Sequence, residues 1–152
     1  MRDLGGVRVG RLTLAILGLL LLTGCDRPGP PSDPELRAEL GIDHATPIHR
    51  ITITGQADRT RLLPAYLEVA TGDVVQFEVR DRRVHQVVFP EADLAEDVRS
   101  FLEATGQMAP PPLTSPEARL VLFFEGAPPG SYAFRVDGYA PSTSGRIVVV
   151  DP

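Results

Sequence analysis

The sequence predicts an all-β domain, a sandwich of about seven short strands with one inserted helix. Three observations carry that expectation. From Ile48 onward apolar residues recur at every second position over short runs, the period of half-buried strands. Turns bearing Gly, Pro and Asp separate those runs, and helical spacing dominates only after Asp93. Two packed sheets are the arrangement that buries one face of each such strand.

Residues 1–24 precede the domain and read as an export signal. Arg2, Arg8 and Arg11 make a positive start, and Leu12 to Leu22 an apolar run of eleven residues, too short for a finished membrane span. Leu22-Thr23-Gly24-Cys25 closes that run and resembles the lipobox of bacterial lipoproteins. The resemblance implies that Cys25 is acylated and becomes the first mature residue. Several acyl chains on one residue anchor stably. Membrane lipid, held through Cys25, is therefore one expected partner, and the expected location is the bacterial cell envelope, periplasmic or on the outer face of the cytoplasmic membrane. Cys25 is also the only cysteine, so an apolar core rather than a disulfide has to stabilise the fold. Residues 25–46 are expected to be the lipidated Cys and a tether, Pro-rich and extended from Asp26 to Pro34, with a turn of helix over Glu35 to Leu40. The folded domain is expected over residues 47–152.

Within that domain, His49, Ile51 and Ile53 share one face of the first strand, and Ala65, Leu67 and Val69 one face of the next. Thr71-Gly72-Asp73 turns the chain into a strand carrying Val75, Phe77 and Val79. His85 shares a face with Val87 and Phe89, which places it at the start of its strand on the inward side. Asp93 and Glu96 have the spacing of a capping pair, Leu94, Val98, Phe101 and Leu102 recur at helical intervals, and Gly106 is placed to end the helix. A Pro-rich loop over 107–118 leads to strands on Leu120, Leu122 and Phe124, then on Tyr132, Phe134 and Val136, and last on Ile147 and Val149.

Charge excludes some functions. Without its first 24 residues the chain has 12 arginines against 19 acidic residues, a net charge of −7, which argues against nucleic-acid binding and against a polybasic lipid patch. Glu91, Asp93, Glu96 and Asp97 have the placement of helix N-terminal carboxylates, favoured there by the helix dipole, rather than of a general-acid pair. Ser142-Thr143-Ser144-Gly145 follows no strand-to-helix pattern of a phosphate loop or nucleophile elbow. The chain is not expected to be an enzyme.

Gly130-Ser131-Tyr132-Ala133-Phe134-Arg135-Val136-Asp137-Gly138-Tyr139, followed by Gly145-Arg146-Ile147-Val148-Val149, resembles the closing strands of the cupredoxins. Leu67-Glu68-Val69-Ala70-Thr71-Gly72-Asp73 and Val84-His85-Gln86-Val87-Val88-Phe89 are similar to earlier segments of the same family, so the likeness spans roughly Ile48 to Asp151. It implies a Greek-key, cupredoxin-like sandwich of the plastocyanin type. It also implies that His85 stands at a copper-ligand position, with Val136 where the family has Cys, Tyr139 where it has His, and Thr143 or Ser144 at the axial end.

A blue-copper plane needs one thiolate and two imidazoles. Val136 offers no donor atom and Tyr139 only a phenol, so no metal and no cofactor is expected, with copper held through His85 as the alternative. His44, His49 and Met108 are scattered and form no ligand cluster along the sequence. His85 is expected to be partly covered, bonded to a backbone carbonyl or a water. The function this leaves is a membrane-anchored binding or accessory module for a protein or small-molecule partner the sequence does not identify. The alternative is copper-based electron transfer or copper handling.

Overall fold

Eight strands, rather than about seven, carry the alternation seen in the sequence. The computed structural model describes residues 34–138 and 140–151, so the expected export signal, Cys25 and Tyr139 lie outside the described residues. Helix α1 (Pro34–Leu40) is followed by β1 (Ile48–Gln56), β2 (Arg59–Leu63), β3 (Tyr66–Ala70), β4 (Val74–Val79) and β5 (His85–Val88). Helix α2 (Glu96–Ala104) then precedes β6 (Arg119–Phe123), β7 (Gly130–Gly138) and β8 (Thr143–Val150). The added strand is β2. Only Thr60 and Leu62 of it face inward, too brief an alternation to stand out from its arginines.

Two four-stranded sheets face each other, one in the order β2-β1-β4-β6 and the other β3-β8-β7-β5. In each sheet one pair is parallel, β1 with β4 and β3 with β8, and the remaining pairs are antiparallel. Ile51, Phe77 and Leu122 from the first sheet meet Val87, Phe134 and Ile147 from the second in one apolar cluster. At its middle Phe77 and Phe134 pack edge to face with ring centroids 5.0 Å apart, a favoured aromatic geometry. Val98 and Leu102 of α2 join the same cluster. Tyr132 donates its hydroxyl to the carbonyl of Pro128 at 2.9 Å, the part of a corner tyrosine. Burial, with the Asp97 carboxylate adding to it, pushes its phenol well above the ordinary range.

Three local expectations change. Asp93 does not cap α2: it ends a separate 3₁₀ turn, Glu91–Asp93, and extended Leu94 divides that turn from the helix. Ala95 holds the N-cap position without a side-chain bond, while Asp97 accepts from the N–H of Val98 at 2.8 Å. Secondly, the chain docks on the domain well before residue 47. Leu36 of α1 is buried against Ile48 and Val74, and Arg37 donates to the carbonyl of Thr46 at 2.7 Å. The turn of helix expected over Glu35 to Leu40 is thus present as α1, and it is packed on the domain rather than part of a free tether. Thirdly, all six residues of β4 are buried, Gln76 and Glu78 included, so this strand is covered on both faces and not only on that of Phe77.

Candidate functional site around His85

Strand β4 is flanked by two carboxylates, Asp73 before it and Asp81 after it, and each holds a histidine. The pair at the second end contains the sequence-predicted His85. Its ring is 1% exposed. Its backbone exchanges hydrogen bonds with Leu113 in both directions, N–H to O at 2.9 Å and O from N–H at 2.7 Å, in an isolated bridge that ties the Pro-rich loop to the edge of β5.

The imidazole is bonded to a carboxylate, not to the backbone carbonyl or water expected from sequence. Nε2 lies 2.9 Å from Oδ1 and 3.1 Å from Oδ2 of Asp81. An ionised carboxylate only accepts, so Nε2–H is the donor. Asp81 also accepts from the N–H of Arg83 at 2.8 Å and from the N–H of Gly55. Burial works against its charge, but the Arg83 N–H, the His85 ring and the Gly55 N–H outweigh burial and hold the carboxyl below its ordinary range. Gly55 is needed for this approach, because a Cβ there would come within 2.8 Å of Asp81 Oδ2 and of Arg83 Nη1.

With Nε2–H committed to Asp81, Nδ1 is left buried and without a hydrogen-bond partner among the described residues. A neutral imidazole then presents a lone pair at Nδ1. It faces Gly138, which is paired with His85 across β5 and β7. A Cβ at Gly138 would lie 3.4 Å from Nδ1 and 2.6 Å from the carbonyl oxygen of Val84, so the close approach of the two strands requires glycine.

The structure brings some predicted residues together and separates others. Val136 is paired with Val87 on the same inward face, one step diagonal from His85, and is fully buried in the core cluster. Thr143, not Ser144, is opposite Val136; its hydroxyl donates to the carbonyl of Thr60 at 2.8 Å. Ser144 is paired with Arg135 and exposed on the outer face, away from His85. Tyr139 lies outside the described residues. Neither Asp81 nor Gly138 was singled out from sequence. The available signal was Asp81-Arg-Arg-Val-His85, an acid four residues ahead of an inward histidine.

Beside the same end, on the outer side of β5, a cleft of about 500 Å³ is lined by Arg82, Val84, Pro112, Asp137 and Gly138 among others. Val84 is half exposed. The Ser142 hydroxyl and Arg135 hold Asp137 below the ordinary carboxylate range, the hydroxyl by a 2.7 Å bond. The cleft thus combines an apolar wall with charges of both signs.

Solved structures similar to the chain include plastocyanins, amicyanins, a pseudoazurin and a purple cupredoxin. An oxidised plastocyanin from Dryopteris crassirhizoma is 17% identical, with 66% of this chain and 99% of that chain covered at a TM-score of 0.49. A purple cupredoxin from Nitrosopumilus maritimus is 17% identical, covering 66% and 98% at 0.45. A pseudoazurin from Sinorhizobium is 20% identical, covering 69% and 75% at 0.48. The likeness is one of fold. No family model matches the chain, and no curated protein matches it.

The side chains at this end do not fit a type 1 copper centre. Among the described residues at this end only His85 offers a free ligand atom of the required kind; Val136 has none, and Thr143 directs its hydroxyl to Thr60. Among the described residues no group of three or more His, Cys, Asp or Glu is placed to hold a metal ion, and no helix is long and apolar enough to cross a membrane.

Proposed function

We propose that the chain is an envelope-anchored, cupredoxin-like binding or accessory module that works without type 1 copper, presenting the loop end around His85 to a protein or small-molecule partner. The observation that carries this reading is Val136, an apolar side chain with 0% exposure in contact with the core at the position where the family resemblance calls for a thiolate. The neighbouring cleft, with Val84 and Pro112 as an apolar wall and Arg82 at its rim, supports partner binding at this end.

Cupric ion added to the purified protein is expected to give no intense visible thiolate-to-copper band. Strong colour would overturn the reading. Val136→Cys combined with Tyr139→His is expected to supply, with His85, the two imidazoles and one thiolate of a copper plane and to bind the ion. Copper binding by neither form, with the fold intact, would place the family resemblance out of register at this loop. The anchor is tested separately, by Cys25→Ala, which is expected to release the domain from the membrane fraction or block its processing.

A second reading, copper handling, is favoured by one observation: a buried, carboxylate-oriented imidazole with a free Nδ1 is how proteins hold metal-binding histidines. A stoichiometric, colourless cuprous complex lost in His85→Leu would favour it.

A further inference from the structure

The cleft beside His85 carries a local charge opposite in sign to that of the whole chain. The sequence has a net charge of −5, yet the cleft of about 500 Å³ is lined by two arginines, Arg82 and Arg83, against one carboxylate, Asp137. That carboxylate is already matched. Arg135 donates Nε–H to its two oxygens at 3.0 and 3.1 Å, and the Ser142 hydroxyl donates to it at 2.7 Å. Arg83 donates through Nη2 to the carbonyl of Ala57 at 2.7 Å. The Arg82 guanidinium differs from all of these: it is exposed, and it has no hydrogen bond or ion pair among the described residues.

The rest of the wall is apolar and held in place. Val84 is 52% exposed at the cleft. Pro112 belongs to a stretch pinned at both ends: Gln86 donates Nε2–H to the carbonyl of Pro110 at 2.6 Å, and the backbone of Leu113 exchanges two hydrogen bonds with that of His85. The fixed φ of proline stiffens what lies between. The wall is therefore formed before any ligand arrives, which removes part of the ordering cost of binding. Clefts that take small molecules have this size and this composition, a largely apolar lining with a few charged groups that set orientation.

We propose that this cleft binds a small organic acid in its ionised form, its apolar body against Val84 and Pro112 and its carboxylate on Arg82. A planar guanidinium meets a carboxylate through two parallel N–H bonds, and an apolar wall beside the pair lowers the local dielectric and strengthens the attraction. A cationic ligand is disfavoured, because Asp137 is taken by Arg135 and Ser142 and the other lining charges are guanidinium groups. The proposal rests on the reading of the His85 end as a binding face, for which it names the class of ligand. It needs neither the lipid anchor nor a metal.

The test is a titration of the full chain, labelled with nitrogen-15 and purified in detergent, followed by NMR of its backbone amides. Three probes separate the two halves of the ligand: 3-phenylpropionate has body and charge, 3-phenylpropanamide the body alone, and acetate the charge alone. Saturable shifts at Arg82, Val84, Asp137 and Gly138 are expected with 3-phenylpropionate, at an affinity about tenfold or more above that of either other probe. Reading shifts residue by residue distinguishes the cleft from the micelle. Absence of these shifts, or equal affinity for the acid and its amide, overturns the proposal. Arg82→Gln is expected to lower the acid to the affinity of the amide while the amide's own shifts and the rest of the spectrum stay as they were; a variant that still prefers the acid overturns the assignment of Arg82. Val84→Ser, at a half-exposed position, is expected to weaken acid and amide alike, and unchanged binding of both overturns the apolar wall. Colour with cupric ion reads the lost copper site and not the cleft, so this proposal and the reading beneath it fail separately.

Discussion

The two histidine–carboxylate pairs at the ends of β4 have the same chemistry and opposite construction. At the first end the acid is inside and the ring outside: Asp73 has 9% side-chain exposure and His49 19%, with Nε2 2.7 Å from Oδ2. At the second end the ring is inside and the acid reaches outward, with His85 at 1% and Asp81 at 15%. Asp73 also accepts the N–H of Ala70 across its own turn at 3.0 Å, so the first pair closes a local loop. Asp81 gathers N–H groups from Gly55 and Arg83, residues 26 and 2 positions away, together with the ring of His85. It joins the β1–β2 turn to the start of β5. Which partner is more deeply buried decides what happens when the pair is broken: a partly exposed ring can turn to water, whereas a ring sealed in the core has no substitute for its acceptor.

The largest expected effect falls on the strand both pairs share. Phe77 is fully buried between them, edge-on to Phe134, and Phe77→Ala should cost about 3–5 kcal/mol in urea denaturation. The metal-free wild type should fold cooperatively, and unfolding of the wild type by chelator alone would contradict an apolar core as the source of stability.

Next in size is Asp81→Ala, expected to cost about 3 kcal/mol because the buried Nε2–H of His85 and the Gly55 and Arg83 N–H groups lose their acceptor together. Asp73→Ala should cost about half as much, since His49 can turn to water and chiefly the Ala70 bond is lost. Equal costs would dissolve the contrast between a cross-linking pair and a local one.

Acid sharpens the same contrast. Because the native pKa of Asp81 lies below its ordinary value, the stability it contributes is fully present above the unfolded carboxyl pKa, about 4, and is lost as pH falls through the native pKa. Asp81→Asn removes that titration. Between pH 5 and pH 2 the urea midpoint of the variant should therefore fall less than that of the wild type, and parallel decline would show that other carboxylates dominate the acid limb.

Sequence disclosed the fold better than the site, for physical reasons. The inward faces of β1, β4, β5, β7 and β8 repeat every two residues, so Ile51, Phe77, Val87, Phe134 and Ile147 could be assigned to a core from spacing alone. The inward placement of His85 followed from the same period, and the neighbourhood of Val136 from the family resemblance. What contacts His85 did not. Asp81 lies in a bend between strands, where no periodicity operates, and Gly138 matters only because the Val84 carbonyl approaches it from another strand. The resemblance left Thr143 and Ser144 both open at the axial end, because it carries no pairing register; the pairing sets Thr143 opposite Val136 and Ser144 opposite Arg135 on the other face. Asp93 failed as a cap because capping depends on backbone angles, and Leu94 is extended.

The smallest expected effect is the most direct comparison of the two rings. In His49→Gln the amide can still donate to Asp73 from a position open to water, and Ala70 N–H keeps its bond to the acid. The cost should stay below about 1 kcal/mol, that of one partly exposed hydrogen bond. His85→Gln enters a closed space between Val136, Gly138 and the Leu113 bridge. Its amide must reach Asp81 while its oxygen takes the place of Nδ1, which has no donor among the described residues, so the unsatisfied acceptor remains and the packing of the buried ring is lost. That change should cost at least 2 kcal/mol more than the first. If both substitutions fall within 0.5 kcal/mol of one another in urea denaturation, about the spread of ordinary surface changes, the seal around His85 opens readily to water and the free Nδ1 is not a fixed feature of this end of the sandwich.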